Sequence, residues 1–146
     1  MSPDNLSPGI LRVGLKHSET IVVPPGLTVP EMADRFAGFA EMPPVFATAY
    51  LVAFVEWTCL QALAPYLQPG QRTVGTKVEL SHDAATPIGM KATAEVELVE
   101  LDGRRLRFKV ACRDARDPIG SGFHERALID EAKFLKRLAE KAAAHA

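Results

Sequence analysis

From residue 90 to residue 98 the chain alternates without a break. Met90, Ala92, Ala94, Val96 and Leu98 face one way, and Lys91, Thr93, Glu95 and Glu97 face the other. A period of two is that of a strand with one buried side. At Val99-Glu100-Leu101 the phase inverts, which predicts a β-bulge. Asp102-Gly103 then predicts a two-residue hairpin turn, because glycine accepts the positive φ such turns require. On the returning strand Leu106, Phe108, Val110 and Cys112 share a face, opposite Arg105, Arg107 and Lys109. Further strands are predicted at 73–82, with Val74, Thr76, Val78 and Leu80 on one face, and at 120–129. Residues 10–23 hold one or two more and end at Pro24-Pro25-Gly26.

The pattern changes over residues 43–67. Prolines sit only near the ends (Pro43, Pro44, Pro65), where a helix tolerates them. Between them Val45, Phe46, Tyr50, Leu51, Val52, Phe54, Val55, Trp57 and Leu60 leave almost no polar face. A helix apolar all round is expected to be buried on most sides. Residues 28–42 mix loop with a short helix around 30–39. The expected organisation is a flexible tail over 1–9, one domain over 10–130, and a solvated Ala/Lys/Glu-rich helix over 131–146.

Antiparallel strands with a single apolar face need a cover, and the 43–67 helix is the only segment greasy enough to supply it. The predicted fold class is α+β, a curved antiparallel sheet wrapped around one long hydrophobic helix. A flatter sandwich with the helix lying across the sheet is the alternative.

Composition narrows the function classes. The chain has 146 residues, enough for one compact domain, and 47% are hydrophobic. A formal net charge of −1 offers no electrostatic case for nucleic acid or an anionic membrane. The N-terminus lacks the basic start and apolar core of a secretory signal. The nearly uncharged run 43–55 is too short to cross a bilayer. Cys59 and Cys112 are expected to be reduced, buried thiols of a cytoplasmic protein. His17, His82, His124 and His145 are too scattered to suggest a metal, and no phosphate-binding loop or dinucleotide fingerprint is present.

Three residues stand out chemically. Glu56 places a carboxylate inside the most apolar helix, at a cost of several kcal/mol unless it is paired or neutralised. Either it reaches solvent at the helix surface or it is held at an active site, where burial raises basicity. His82 ends a strand and opens a turn-rich segment; imidazole exchanges protons near neutral pH. Thr48 reads first as a helix cap. Eight residues separate it from Glu56, about 12 Å of helical rise. The two cannot touch within one straight helix, so either Thr48 precedes the first turn or two subunits share a site.

Several segments are similar in order to the fluoroacetyl-CoA thioesterase family. They are Pro44-Val45-Phe46-Ala47-Thr48, Glu56-Trp57-Thr58-Cys59 and Ala64-Pro65-Tyr66-Leu67-Gln68-Pro69-Gly70, then Gly75-Thr76 and His82-Asp83-Ala84-Ala85-Thr86-Pro87-Ile88-Gly89. Glu100-Leu101-Asp102-Gly103-Arg104-Arg105-Leu106 and Ile119-Gly120-Ser121-Gly122-Phe123-His124-Glu125-Arg126 complete the series. The resemblance implies a hotdog fold, a homodimer, and hydrolysis of a short acyl-CoA, with coenzyme A entering as part of the substrate and no separate cofactor; the open sheet edges leave a tetramer as the alternative assembly. It implies a catalytic set of Thr48, Glu56 and His82. Gly75 would approach the acyl group, Arg126 would help hold the site, and Phe39 and Met42 would lie in the lid. Where the fluoroacetyl-specific enzyme has a phenylalanine directly before the Pro-x-Val-Phe-Ala-Thr motif, this chain has Met42, so selectivity for a fluorinated acyl group is not implied. The strip Arg104, Arg105, Arg107 and Lys109 either meets coenzyme A phosphates or is simply a charged strand face. A non-catalytic acyl-CoA-binding dimer and a hotdog hydratase or dehydratase are the competing functions.

Overall fold

The computed structural model describes residues 10–145, so the tail expected at 1–9 lies outside the described residues, as does residue 146. Five strands, β1 (Lys16–Val22), β2 (Gln71–Leu80), β3 (Lys91–Asp102), β4 (Arg105–Asp114) and β5 (Pro118–Asp130), form one sheet. Every pairing is antiparallel, in the order β1-β3-β4-β5-β2. Helix α1 (Thr48–Leu63) packs on the sheet, and helix α2 (Glu131–His145) follows β5.

The alternation read from the sequence sets the core. Ala92, Ala94, Val96 and Leu98 of β3 and Leu106, Phe108, Val110 and Cys112 of β4 are buried against Leu51, Phe54, Val55, Cys59 and Leu63 of α1. Each such large side chain contributes about 1.5–3 kcal/mol when fully buried. The β3–β4 register slips between Leu98 and Glu100, where the phase inversion placed a bulge. The hairpin turn falls one residue later than expected. Asp102 pairs with Arg105, leaving Gly103-Arg104 as the loop with positive φ at Gly103.

Three expectations are corrected. The helix begins at Thr48, not residue 43, because Val45 and Phe46 are held extended by bridges to Pro87 and Thr28. Residues 28–42 form no α-helix; they are short 3-10 turns at Val29–Met32 and Phe39–Glu41. The face assigned to β2 also fails: its register slips between Gly75 and Lys77, Thr73 is buried and Val78 is exposed.

Within one chain α1 is covered on one side only. Trp57 and Leu60 remain 39% exposed, and Ala49 and Ala53 lie open beside them. Strand β2 is an edge of the sheet. The molecule therefore presents an apolar helix face next to an unpaired strand edge.

Close backbone approach fixes the end of β2. Ser81 donates its N–H to Ser121 O at 2.9 Å, and Asp83 donates to Ile119 O at 2.7 Å. A Cβ on Gly120 would lie 2.2 Å from Ser81 O, so only glycine fits. The following loop is anchored by Thr86 Oγ1, which donates to Asp114 Oδ2 at 2.8 Å. Phe46 N–H donates to Thr86 O at 2.9 Å, tying the entry of α1 to the segment that carries His82. Gly120→Ala is expected to cost about 1–3 kcal/mol in urea denaturation, as overpacking does; an unchanged midpoint would show that the strands can part freely.

Candidate active site

Thr48 is the first residue of α1; the cap position is Ala47, which offers no side-chain bond. Thr48 is therefore not a cap. Its hydroxyl instead lies 2.7 Å from His82 Nδ1. His82 Nε2 is buried and has no hydrogen-bond partner. A polar atom in that state costs about 1–3 kcal/mol, which is tolerable where a ligand or another chain satisfies it. Burial depresses the basicity of His82, partly opposed by Asp83, so the ring is neutral at pH 7.

Glu56 lies two turns further along the same helix. Its carboxylate is neither isolated nor deeply buried, contrary to one reading of the sequence: the side chain is 38% exposed and paired with Arg126. Arg126 Nη1 donates to Glu56 Oε1 at 3.0 Å. Arg126 is 4% exposed, and its guanidinium is pinned by Nε to Thr73 Oγ1 at 2.8 Å and Nη2 to Thr73 O at 2.9 Å. Gly75 makes the pair possible, since a Cβ there would lie 2.6 Å from Glu56 Oε1. Glu56, Gly75, Thr76, Lys77, Val78 and His124 line a shallow hollow of about 300 Å³ at the β2 edge.

The expected residues thus fall into two clusters. Thr48 meets His82 at the start of α1; Glu56 meets Arg126 and Gly75 near its middle. Because Thr48 and Glu56 both lie within α1, the possibility that Thr48 precedes the helix is removed. Phe39 is half-buried and packs edge-on against Phe36 with ring centroids 6.4 Å apart, while Met42 is exposed. Neither reaches the two clusters through a hydrogen bond. Arg105 and Arg107 pair with Glu100 and Glu125, so these two arginines are accounted for as a charged strand face.

Sequence reasoning passed over His124, which is 1% exposed and approaches Glu56 Oε1 to 4.0 Å. The signal was available: His124 and Arg126 are two residues apart on a strand and so share a face. Burial also depresses the basicity of His124, with the Lys77 carbonyl opposing and Arg126 reinforcing. Cys59, beneath the cluster, has its thiol pushed up to about 12 by burial and is inert.

The fluoroacetyl-CoA-specific thioesterase family matches residues 28–132. The chain belongs to that family. The fluoroacetyl-CoA thioesterase of Streptantibioticus cattleyicolor is 44% identical over 131 residues, 90% of this chain and 94% of that protein. A crystal structure of the fluoroacetyl-CoA thioesterase superposes with a TM-score of 0.86 at 44% identity, covering 90% of this chain and 97% of that one. A Thermus thermophilus thioesterase superfamily member superposes with a TM-score of 0.79 at 28% identity, covering 91% and 96%. The hotdog architecture expected from the sequence is therefore established.

The two depressed histidines fix a sign for stability. The unfolded chain takes up protons near the ordinary histidine value of 6.5 while folded His82 and His124 resist. Their contribution is complete above pH 6.5 and is lost as pH falls below it. Thermal midpoints measured across this window should fall with acidification, and less steeply in His124→Gln. A flat profile would contradict the burial described.

Proposed function

We propose that this chain hydrolyses the thioester of a short-chain acyl-CoA, with Glu56 delivering the nucleophile, His82 handling the proton and Thr48 holding the developing oxyanion. The observation that carries this reading is Glu56, a carboxylate held by Arg126 on the open face of an apolar helix. Oε1 is committed to Arg126, and among the described residues Oε2 takes no hydrogen bond. That oxygen is free to attack the carbonyl carbon. The C–S bond then breaks, coenzyme A leaves as thiolate, and a mixed anhydride on Glu56 remains. With His82 Nδ1–H donating to Thr48 Oγ1, Nε2 offers a lone pair to water. Water attacks the anhydride, Glu56 is released as carboxylate, and the proton taken by His82 passes to the thiolate. Thr48 keeps its own O–H for the carbonyl oxygen, beside the free N–H groups of the first helical turn.

The same reading calls for a second copy. Thr48–His82 and Glu56–Arg126 are separated by about 12 Å of helix, too far for one carbonyl to meet both. A homodimer joined at the β2 edge would cover Trp57 and Leu60 and bring Glu56 of one copy toward His82 of the other. Tetramers built from such pairs are compatible with it. Among the described residues no helix is long and apolar enough to cross a membrane. The two free, buried cysteines suit a reducing cytoplasm. Met42, unbranched and flexible, lines the lid less rigidly than an aromatic ring, so we assign the substrate as a short acyl group and not a fluorinated one in particular.

In a thiol-release assay across short acyl-CoAs, Glu56→Gln and His82→Ala are each expected to lose ~10²–10⁴ in rate while remaining folded. Binding of acyl-CoA without thiol release by the unmodified protein would favour the non-catalytic alternative, and mapping a trapped acyl group to Thr48 would move the nucleophile. The two-copy site has its own test. Mixed, refolded Glu56→Gln and His82→Ala chains should regain about a quarter of the unmodified activity, because half the random dimers carry one complete site of two. No regain at all would confine each site to one chain.

A further inference from the structure

Directly behind the carboxylate lies a histidine that the reaction does not use. His124 Nδ1 is 2.8 Å from the Lys77 carbonyl oxygen. A carbonyl only accepts, so Nδ1 carries a proton. His124 Nε2 is 3.2 Å from Arg126 Nη1. A guanidinium only donates, so Nε2 presents a lone pair. The two contacts together specify a neutral imidazole in the Nδ1–H form. An imidazolium would set N–H against N–H.

The consequence falls on Arg126. Its Nε and Nη2 are fixed by Thr73, and the two hydrogens of Nη1 are shared between Glu56 and His124. Removing the His124 lone pair would leave one buried Nη1 hydrogen unpaired, and the guanidinium would gain by turning toward whatever acceptor remained. The other oxygen of Glu56, the one left free for chemistry, is such an acceptor, on a carboxylate Arg126 already holds. The lone pair of His124 thus keeps Arg126 on a single carboxylate oxygen. Space filling alone does not explain the residue. Burying an imidazole costs about 1–3 kcal/mol for each unpaired nitrogen, whereas an apolar side chain would fill the place without that demand.

We infer that His124 is a positioning residue that acts through Arg126 to hold Glu56 by one oxygen and keep the other available. This rests on Glu56 delivering the nucleophile. The test compares His124→Gln with His124→Met, which are similar in volume and differ in whether a strong acceptor, an amide oxygen, or only a weak thioether sulfur faces Arg126. With acetyl-CoA as substrate, the glutamine variant should keep kcat within about fivefold and the methionine variant should lose about tenfold to a hundredfold in kcat, since small misplacements of reacting groups cost that much. KM should change by less than about threefold in both. Equal kcat values in the two folded variants, or a loss confined to KM, would overturn the inference. A second readout does not depend on activity: a long-range ¹H–¹⁵N spectrum of the histidine-labelled protein should show His124 protonated at Nδ1 and bare at Nε2. A proton on Nε2 would overturn the inference even if the methionine variant failed to fold. Normal turnover in Glu56→Gln would count against the parent reading instead, while the spectrum would still report on the contact itself.

Discussion

The buried guanidinium of Arg126 is the constraint around which the polar side of this fold is arranged. Taking an arginine out of water costs several kcal/mol unless its N–H groups find acceptors and its charge finds a partner. Thr73 supplies two acceptors, His124 one, and Glu56 both an acceptor and the opposite charge. The demand falls on the arginine more than on its partner. Glu56 sits on a helix whose neighbours Phe54, Val55 and Cys59 are buried hydrophobics, yet its own side chain stays 38% exposed. A network in which each guanidinium nitrogen has a partner is rigid because each member answers for another.

Sheet geometry delivers these partners to one place. Gly75 and Arg126 are directly paired across β2 and β5, and the missing side chain at Gly75 leaves the opening through which the carboxylate reaches the guanidinium. Past the C-terminal end of β2, Gly120 lets two backbones approach closely enough to set His82 beside Thr48. Glycine thus does opposite work at the two places: at Gly75 it admits a side chain, at Gly120 it admits a neighbouring strand.

Much of the architecture was legible because it is written in a short period. The alternation on β3 and β4, the phase inversion at Val99 and the alanine-rich last helix are local statements, and the structure honours them. What local pattern could not supply was competition. Residues 43–47 read as helix by composition, yet bridges from Thr28 and Pro87 hold part of that stretch extended. The even face proposed for β2 failed because an edge strand with a register slip has no continuous inner side. At the site, Glu56 and His82 were visible as anomalies of residue type in their surroundings. His124 was not, because a histidine within a strand looks ordinary until its spacing from Arg126 is weighed.

The pairing of β2 with β5 carries a liability that thermodynamic measures would miss. Side chains on a strand change sides with every step, so a displacement of β2 by one position would set Val74 or Thr76 opposite Arg126 in place of Gly75. The hydrogen-bond ladder could re-form elsewhere, and the bulk of the core, which lies between α1 and strands β3 and β4, would scarcely notice. Such a misthreaded molecule would have ordinary secondary structure and ordinary solubility, with a side chain filling the space that Gly75 leaves for the carboxylate. In this protein, alignment between two neighbouring strands decides whether a carboxylate and a guanidinium can meet.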